Sequence, residues 1–233
     1  MQNYYKTDIE IDEPKPLLRV TVFLIIVFII FINIKNRMSF DDTVLKVDMK
    51  PFSTPAQTIP DKNTPKAIFV EANGAKAHLI PLAEYKIYGR VYTKHYVPIK
   101  MDLGTVMPYD MAIGWNRMAD KDVFKMLKMK YALADRVVYW QYKAGTPLSY
   151  YEINSSFSNN HLIPANKKVR KGLDKIKVKD VIYLEGYLVK LTIFRPDGRD
   201  ERVVSSLYRD DEGLGACEVI YVKRVVSRHG DFS

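Results

Sequence analysis

The residues with most capacity for chemistry are His161, Cys217 and the adjacent serines Ser205 and Ser206. His161 follows Asn159 and Asn160 and precedes Ile163, Pro164, Ala165 and Asn166, which is the most unusual polar cluster in the chain. An imidazole in such a setting can serve as a general base or a metal ligand, because its ordinary pKa lies near neutrality. With Ser205, Ser206 or Cys217 as nucleophile, and Asp210 or Asp211 orienting the ring, it would support hydrolysis. Plainer readings fit the same residues. Loop Asn side chains satisfy backbone groups. Serines are common in strands, and a cysteine early in an apolar strand is ordinarily a buried, inert thiol. No G-x-S-x-G pattern and no papain-like or caspase-like pattern surrounds these positions.

Metal and cofactor chemistry finds less support. His78, His95, His161 and His229 are far apart in the chain, and none forms an H-x-x-x-H pair. Cys217 is the only cysteine, which excludes an intramolecular disulfide and any zinc site built on several thiols. Arg209, Asp210, Asp211 and Glu212, followed by Gly213, Leu214 and Gly215, lack the oxygen-ligand spacing of a calcium loop and read as a charged turn. The chain has no P-loop, no G-x-G-x-x-G after a strand, no C-x-x-C-H and no H-E-x-x-H. No metal and no cofactor are expected, and the missing motifs weigh against an enzyme.

The net charge is +9, from 36 Lys and Arg against 27 Asp and Glu. Residues 167–179 carry seven of the basic residues against one Asp. Lys167, Lys168, Arg170 and Lys171, with the nearby Asn160 and His161, are candidates for binding anionic lipid headgroups or an anionic polymer. A solvated helix face accounts for the same run. Aromatics that could stack on bases do not interleave with these charges, which disfavours nucleic acid. Trp115, Tyr139, Trp140 and Tyr142 could line a groove or belong to a core or barrel rim.

The elements that must position these residues begin with a membrane anchor. Residues 17–34 read LLRVTVFLIIVFIIFINI. A bilayer core needs about 20 mostly apolar helical residues, so this run is long enough if Arg19 snorkels to the headgroups. The acidic residues ahead of it and the lack of a small-residue cleavage site distinguish it from a signal peptide. The expected organisation is a polar tail over 1–16, a transmembrane helix over 17–35, a Pro-rich linker over 36–66 and a β-rich domain over 67–233. Basic residues flank both ends of the anchor and do not set its direction.

Within the domain, 67–70 and Asn73-Gly74 suggest a hairpin, and residues 83–97 alternate as one strand. The spacing of Met111, Trp115 and Met118 predicts a helix, followed by a second one capped by Asp120. Residues 136–142 and 148–153 read as paired aromatic strands. The stretch 155–173 reads as irregular, with a short helix after Pro164. Residues 180–194, 201–207 and 216–226 suggest a three-stranded meander, the first strand bent at Gly186. The fold expected is mainly β (α+β): an antiparallel curved sheet or a small OB-like barrel with two or three short helices.

Three functions compete at this level. The first is a single-pass envelope protein of a bacterial-type inner membrane. Its extracytoplasmic domain would act as a binding or assembly module among other membrane or envelope proteins. The second is a membrane-tethered hydrolase using His161 with Ser205, Ser206 or Cys217. A module reading anionic lipid or polymer through 167–179 is a third.

Overall fold

The alternation read in residues 83–97 belongs to a much longer strand. In the computed structural model β3 runs Ala75–Tyr96, 22 residues, against about 5–6 for an ordinary strand. That length lets it serve several partners on two edges. The structure describes residues 16–72, 74–98, 102–194, 200–209, 211 and 216–233, with the side chains of 16–19, 33–38 and 102 outside the description.

On one edge, β3 pairs with β8 (Val181–Phe194) from Lys76↔Phe194 to Arg90↔Val181. On the other it meets β2 (Ile68–Ala72), β1 (Ala56–Thr58) and β4 (Tyr109–Gly114) in turn. The β2–β3 hairpin closes with Ala72 opposite Ala75, and Gly74 supplies the positive φ of +83° that the turn requires. Asn73 itself lies outside the described residues.

Strand β4 pairs with β7 (Phe157–Pro164), β7 with β10 (Glu218–Ser227), and β10 with β8. Since β8 also pairs with β3, five strands form a closed circuit in the order β3-β4-β7-β10-β8. The short strands β9 (Glu201–Val204) and β11 (Gly230–Phe232) join β8 and β10. The β7–β10 pairing is parallel and the others are antiparallel. The curved sheet is therefore mixed, not antiparallel as expected, because β10 inserts between β7 and β8. The expected meander changes for the same reason: β8 lies between β9 and β10.

Alternate side chains from the five strands fill the inside of the circuit. Tyr85, Ile87, Met111, Ile113, Leu162, Leu184, Leu188 and Ile220 belong to one core, together with Val169 and Leu173 of α5 (Lys167–Lys175). Asn166 caps α5, its side chain accepting from the N–H groups of Lys168 and Val169. At Gly186 a Cβ would lie 1.9 Å from the Tyr221 carbonyl oxygen. Only glycine lets β8 and β10 approach that closely, and the register shift sits opposite, between Val222 and Arg224 of β10.

Several local expectations are overturned. The residues of the expected helix around Met111 form strand β4, followed by a 3-10 turn, Asn116–Ala119. Every residue of β4 is buried, so tertiary contact erases the polar alternation that would have marked a strand. The second expected helix exists as α3 (Lys121–Met126), after α2 (Asp102–Val106). The aromatic strand over 136–142 is β6 (Val137–Tyr142), but its partner is β5 (Leu127–Ala132). Its expected partner is instead helix α4 (Tyr150–Asn154), because Ser149 and Glu152 make a capping box that outweighs the β preference of the tyrosines. The stretch read as irregular contains β7.

The chain divides into two compact units, Met1–Ser39 and Phe40–Ser233. In the first, α1 is one helix, Pro16–Met38, and every side chain described on it, over 20–32, is exposed. Among the described residues no helix is long and apolar enough to cross a membrane. The expected linker belongs to the second unit from Phe40 onward. It does not stand off as a spacer: Asp41 and Leu45 are buried, the Asp41 carboxylate accepts from the Val181 N–H, and the Leu45 N–H donates to the Tyr88 hydroxyl.

Candidate functional site

The strand register brings three titratable side chains into one row. Asp110 of β4 is paired with His95 of β3 on one side and with His161 of β7 on the other. In β4, Tyr109, Met111 and Ile113 point into the core. Asp110 therefore points out of the circuit, onto the face that the β5–β6 hairpin covers. Asp110 is 0% exposed and His161 7%, and their contact is direct, with Nδ1 2.7 Å from Oδ1.

A buried carboxylate needs several donors, and the hairpin supplies them. Arg136 donates to both oxygens, Nε to Oδ2 at 2.9 Å and Nη2 to Oδ1 at 2.5 Å. The Tyr131 hydroxyl donates to Oδ2, and its ring stacks on His95 with centroids 4.1 Å apart. Arg136 holds a positive φ of 54°, an uncommon conformation for a long side chain. Its guanidinium and carbonyl both serve the site.

Cys217 stands one residue before β10, whose Glu218 pairs with Asn160 and Val219 with His161. The parallel pairing thus sets the sulfur beside β7. Asn159 Nδ2 lies 3.4 Å from Cys217 Sγ and donates to the Arg136 carbonyl at 2.8 Å. Cys217 lies near enough to His161 to help Asp110 raise the imidazole pKa. Nδ1 is engaged with Asp110, which leaves Nε2 as the ring nitrogen for proton exchange. The imidazole therefore has a carboxylate bound on one side and a thiol in its vicinity, a set of groups in which the first can orient the ring and the second exchange a proton with it.

The electrostatics follow from these contacts. Burial lowers the His161 pKa, but hydrogen bonds and charge from Asp110 and Cys217 outweigh it and hold the imidazole at about 9. Burial raises the Asp110 pKa, and the bonds from His161 and Arg136 outweigh it, keeping the carboxyl below its ordinary range. Burial depresses His95, with Asp110 opposing.

Cys217 and Asn159 line a cavity of about 840 Å³, within the roughly 300–1,000 Å³ of small-ligand sites. Its walls are β6, Tyr150 and Asn154 of α4, residues 157–159, Asp211 and Ala216. Tyr139, Trp140 and Tyr142 are on this wall, whereas Trp115 is fully buried inside the circuit.

Of the residues singled out in the sequence, the structure brings together His161 and Cys217. The serines are engaged elsewhere. Ser205 Oγ donates to the Ser206 carbonyl and accepts from the Val219 N–H. Ser206 Oγ donates to the Asp211 carboxylate and accepts from the Tyr208 N–H. Neither serine lines the cavity. Asp210 lies outside the described residues, and Asp211 contacts Ser206, not the imidazole. The carboxylate that orients His161 is Asp110, beside the residues whose spacing predicts a helix. Its one signal is a lone acid inside an otherwise uncharged run, 107–116.

The basic residues form a separate feature. Lys167, Lys168 and Lys171 are exposed on α5, and Arg170 Nη2 donates to the Tyr96 hydroxyl. Asn160, grouped with them in the sequence, is 0% exposed and donates to the Met111 and Ser158 carbonyls. It cannot join a surface made by α5. Among the described residues no group of three or more His, Cys, Asp or Glu side chains could hold a metal.

No protein-family model, no curated protein and no solved structure matches the chain.

Proposed function

We propose that the protein is a thiol-dependent acyl-transfer enzyme, a hydrolase, with Cys217 as nucleophile, His161 as its proton partner and Asp110 as the positioning carboxylate. The observation that carries this reading is the buried 2.7 Å contact of His161 with Asp110, with Cys217 near enough to raise the imidazole pKa and lining a ligand-sized cavity. The sulfur attacks a carbonyl carbon, and the imidazolium gives its proton to the leaving group. Water then cleaves the thioester, with His161 taking its proton, and the acid leaves. Asn159 Nδ2, beside the sulfur, is placed to donate to the oxyanion.

The five-strand circuit is read as an OB-like barrel. Numbered within the circuit in chain order, its strands run first, second, third, fifth, fourth and back to first, with α5 between the third and fourth. No described helix is long and apolar enough to cross a membrane, so the anchor reading rests on the sequence alone: the apolar run over 17–34 is taken as the anchor to a bacterial-type inner membrane, the domain lying on the extracytoplasmic side. The exposed lysines of α5 would favour an anionic membrane surface. A binding or assembly role among envelope proteins is supported by the anchor and by no observation at the site.

Alkylation of Cys217 by iodoacetamide, followed across pH on the detergent-solubilised chain, tests this. His161→Ala slows the neutral-pH reaction of the thiol by about a hundredfold. Equal neutral-pH rates for wild type and His161→Ala would falsify the assignment.

A further inference from the structure

We infer that the acyl substrate of Cys217 is an extended peptide segment, bound as an added strand along the free edge of β6. The inference rests on the acyl-transfer reading above.

Val137, Val138, Tyr139, Trp140, Gln141 and Tyr142 all line the cavity. A strand that meets a cavity with one face shows it only every second side chain. A cavity that runs along the edge of the strand accounts for six consecutive residues sharing one space. Among the described residues β6 pairs with β5 alone. Alternate N–H and C=O groups on its other edge therefore lack a strand partner.

A ligand that answers such an edge must carry donors and acceptors at the strand repeat. A polypeptide main chain does, and adding a strand to an exposed edge is a general mode of peptide binding. An alkyl chain or a glycan has no such repeat. At about 3.3 Å per residue, six residues of edge extend for about 20 Å, enough for a peptide of four to six residues.

One side chain links this edge to the nucleophile. Asn159 Nδ2 donates to the carbonyl of Arg136, the residue just before β6, and contacts Cys217 Sγ. A peptide lying on the β6 edge thus has one end beside the sulfur. Near the other end Trp140 packs against Tyr142 and Tyr150, with centroids 5.8 and 5.2 Å apart, an apolar wall for the peptide's side chains. In the step that follows, the C–N bond of a peptide amide breaks as the S–C bond forms. The amine leaves with the proton from His161, and water releases the new carboxylate from the thioester.

The test uses the full chain in detergent with four probes for Cys217. These are iodoacetamide, a blocked tetrapeptidyl chloromethyl ketone, its analogues N-methylated at one amide each, and an alkyl chloromethyl ketone of equal length. The tetrapeptide probe is expected to label Cys217 with saturation and faster than the alkyl probe. N-methylation at alternate amides slows it by about fivefold to tenfold, and at the intervening amides does not. Equal labelling by the peptide and alkyl probes, or N-methyl effects without alternation, overturns the peptide-strand inference. If iodoacetamide still depends on His161, the acyl-transfer reading survives that result. If iodoacetamide labelling ignores His161→Ala, the acyl-transfer reading falls and the inference falls with it.

Discussion

Asp110 and His161 face each other across β4 and β7, and the imidazole Nδ1 sits 2.7 Å from the carboxylate Oδ1. The same carboxylate holds Arg136 and Tyr131 of the hairpin that covers this face of the sheet. One buried acid therefore serves both the candidate chemistry and the attachment of the cavity wall.

Asp110→Asn separates those duties in measurable ways. Without the charge, burial acts on His161 with less opposition, and its pKa falls from about 9. Imidazole titration by NMR reads this. The buried Arg136 loses its counter-charge, so stability falls by about 3–5 kcal/mol in urea unfolding. An unchanged imidazole titration would show that Asp110 does not control the ring.

Inside the circuit, Glu218 makes an ion pair with Arg209. Burial lifts its pKa from 4.5 to about 7 against the pull of Arg209. A raised folded pKa stabilises fully below the unfolded value and is lost as pH rises through the folded one. Glu218 thus makes stability decline between pH 4.5 and about 7, and His161 does so between 6.5 and about 9. In Glu218→Gln the first decline disappears and the second remains. Thermal unfolding across pH checks this, and an unaltered slope below pH 6.5 contradicts it.

Gly186→Ala tests circuit closure. The added Cβ meets the Tyr221 carbonyl at 1.9 Å, which backbone cannot accommodate without parting β8 from β10. A loss of at least about 3 kcal/mol is expected, above the ordinary range for overpacking. Amide exchange should rise along both strands, and a variant as stable as wild type would place the strands further apart than described.

Lys94 ties β3 to the end of α5. Its Nζ donates to the carbonyls of Leu173, Asp174 and Ile176, all within 2.9 Å. Lys94→Met keeps most of the side-chain volume and removes these donors, and about 2 kcal/mol of stability should go with them. Fraying confined to residues 173–176 in amide exchange is the expected signature. Protection lost evenly across the sheet would point to a different role.

Local rules carried part of this structure. The apolar run over 17–34 dictates a helix, and α1 is one. The Asn-Gly turn, the alternation after residue 83 and the length of 180–194 each mark an element that exists. His161 and Cys217 stood out by residue type, whereas Asp110 did not. Its neighbours in sequence follow helical spacing, and only the burial of β4 on both faces shows them as strand. The Ser149–Glu152 capping box was legible but hidden behind strand-favouring tyrosines.

The sequence by itself determined which side chains could do chemistry, since type and ionisation are local properties. The tertiary structure alone decided which of them meet. Asp110, Arg136, His161 and Cys217 lie on four separate segments and converge only through strand register and the parallel β7–β10 pairing. Register depends on contacts between residues distant in the chain, and a shift of one residue would turn each of these side chains to the opposite face.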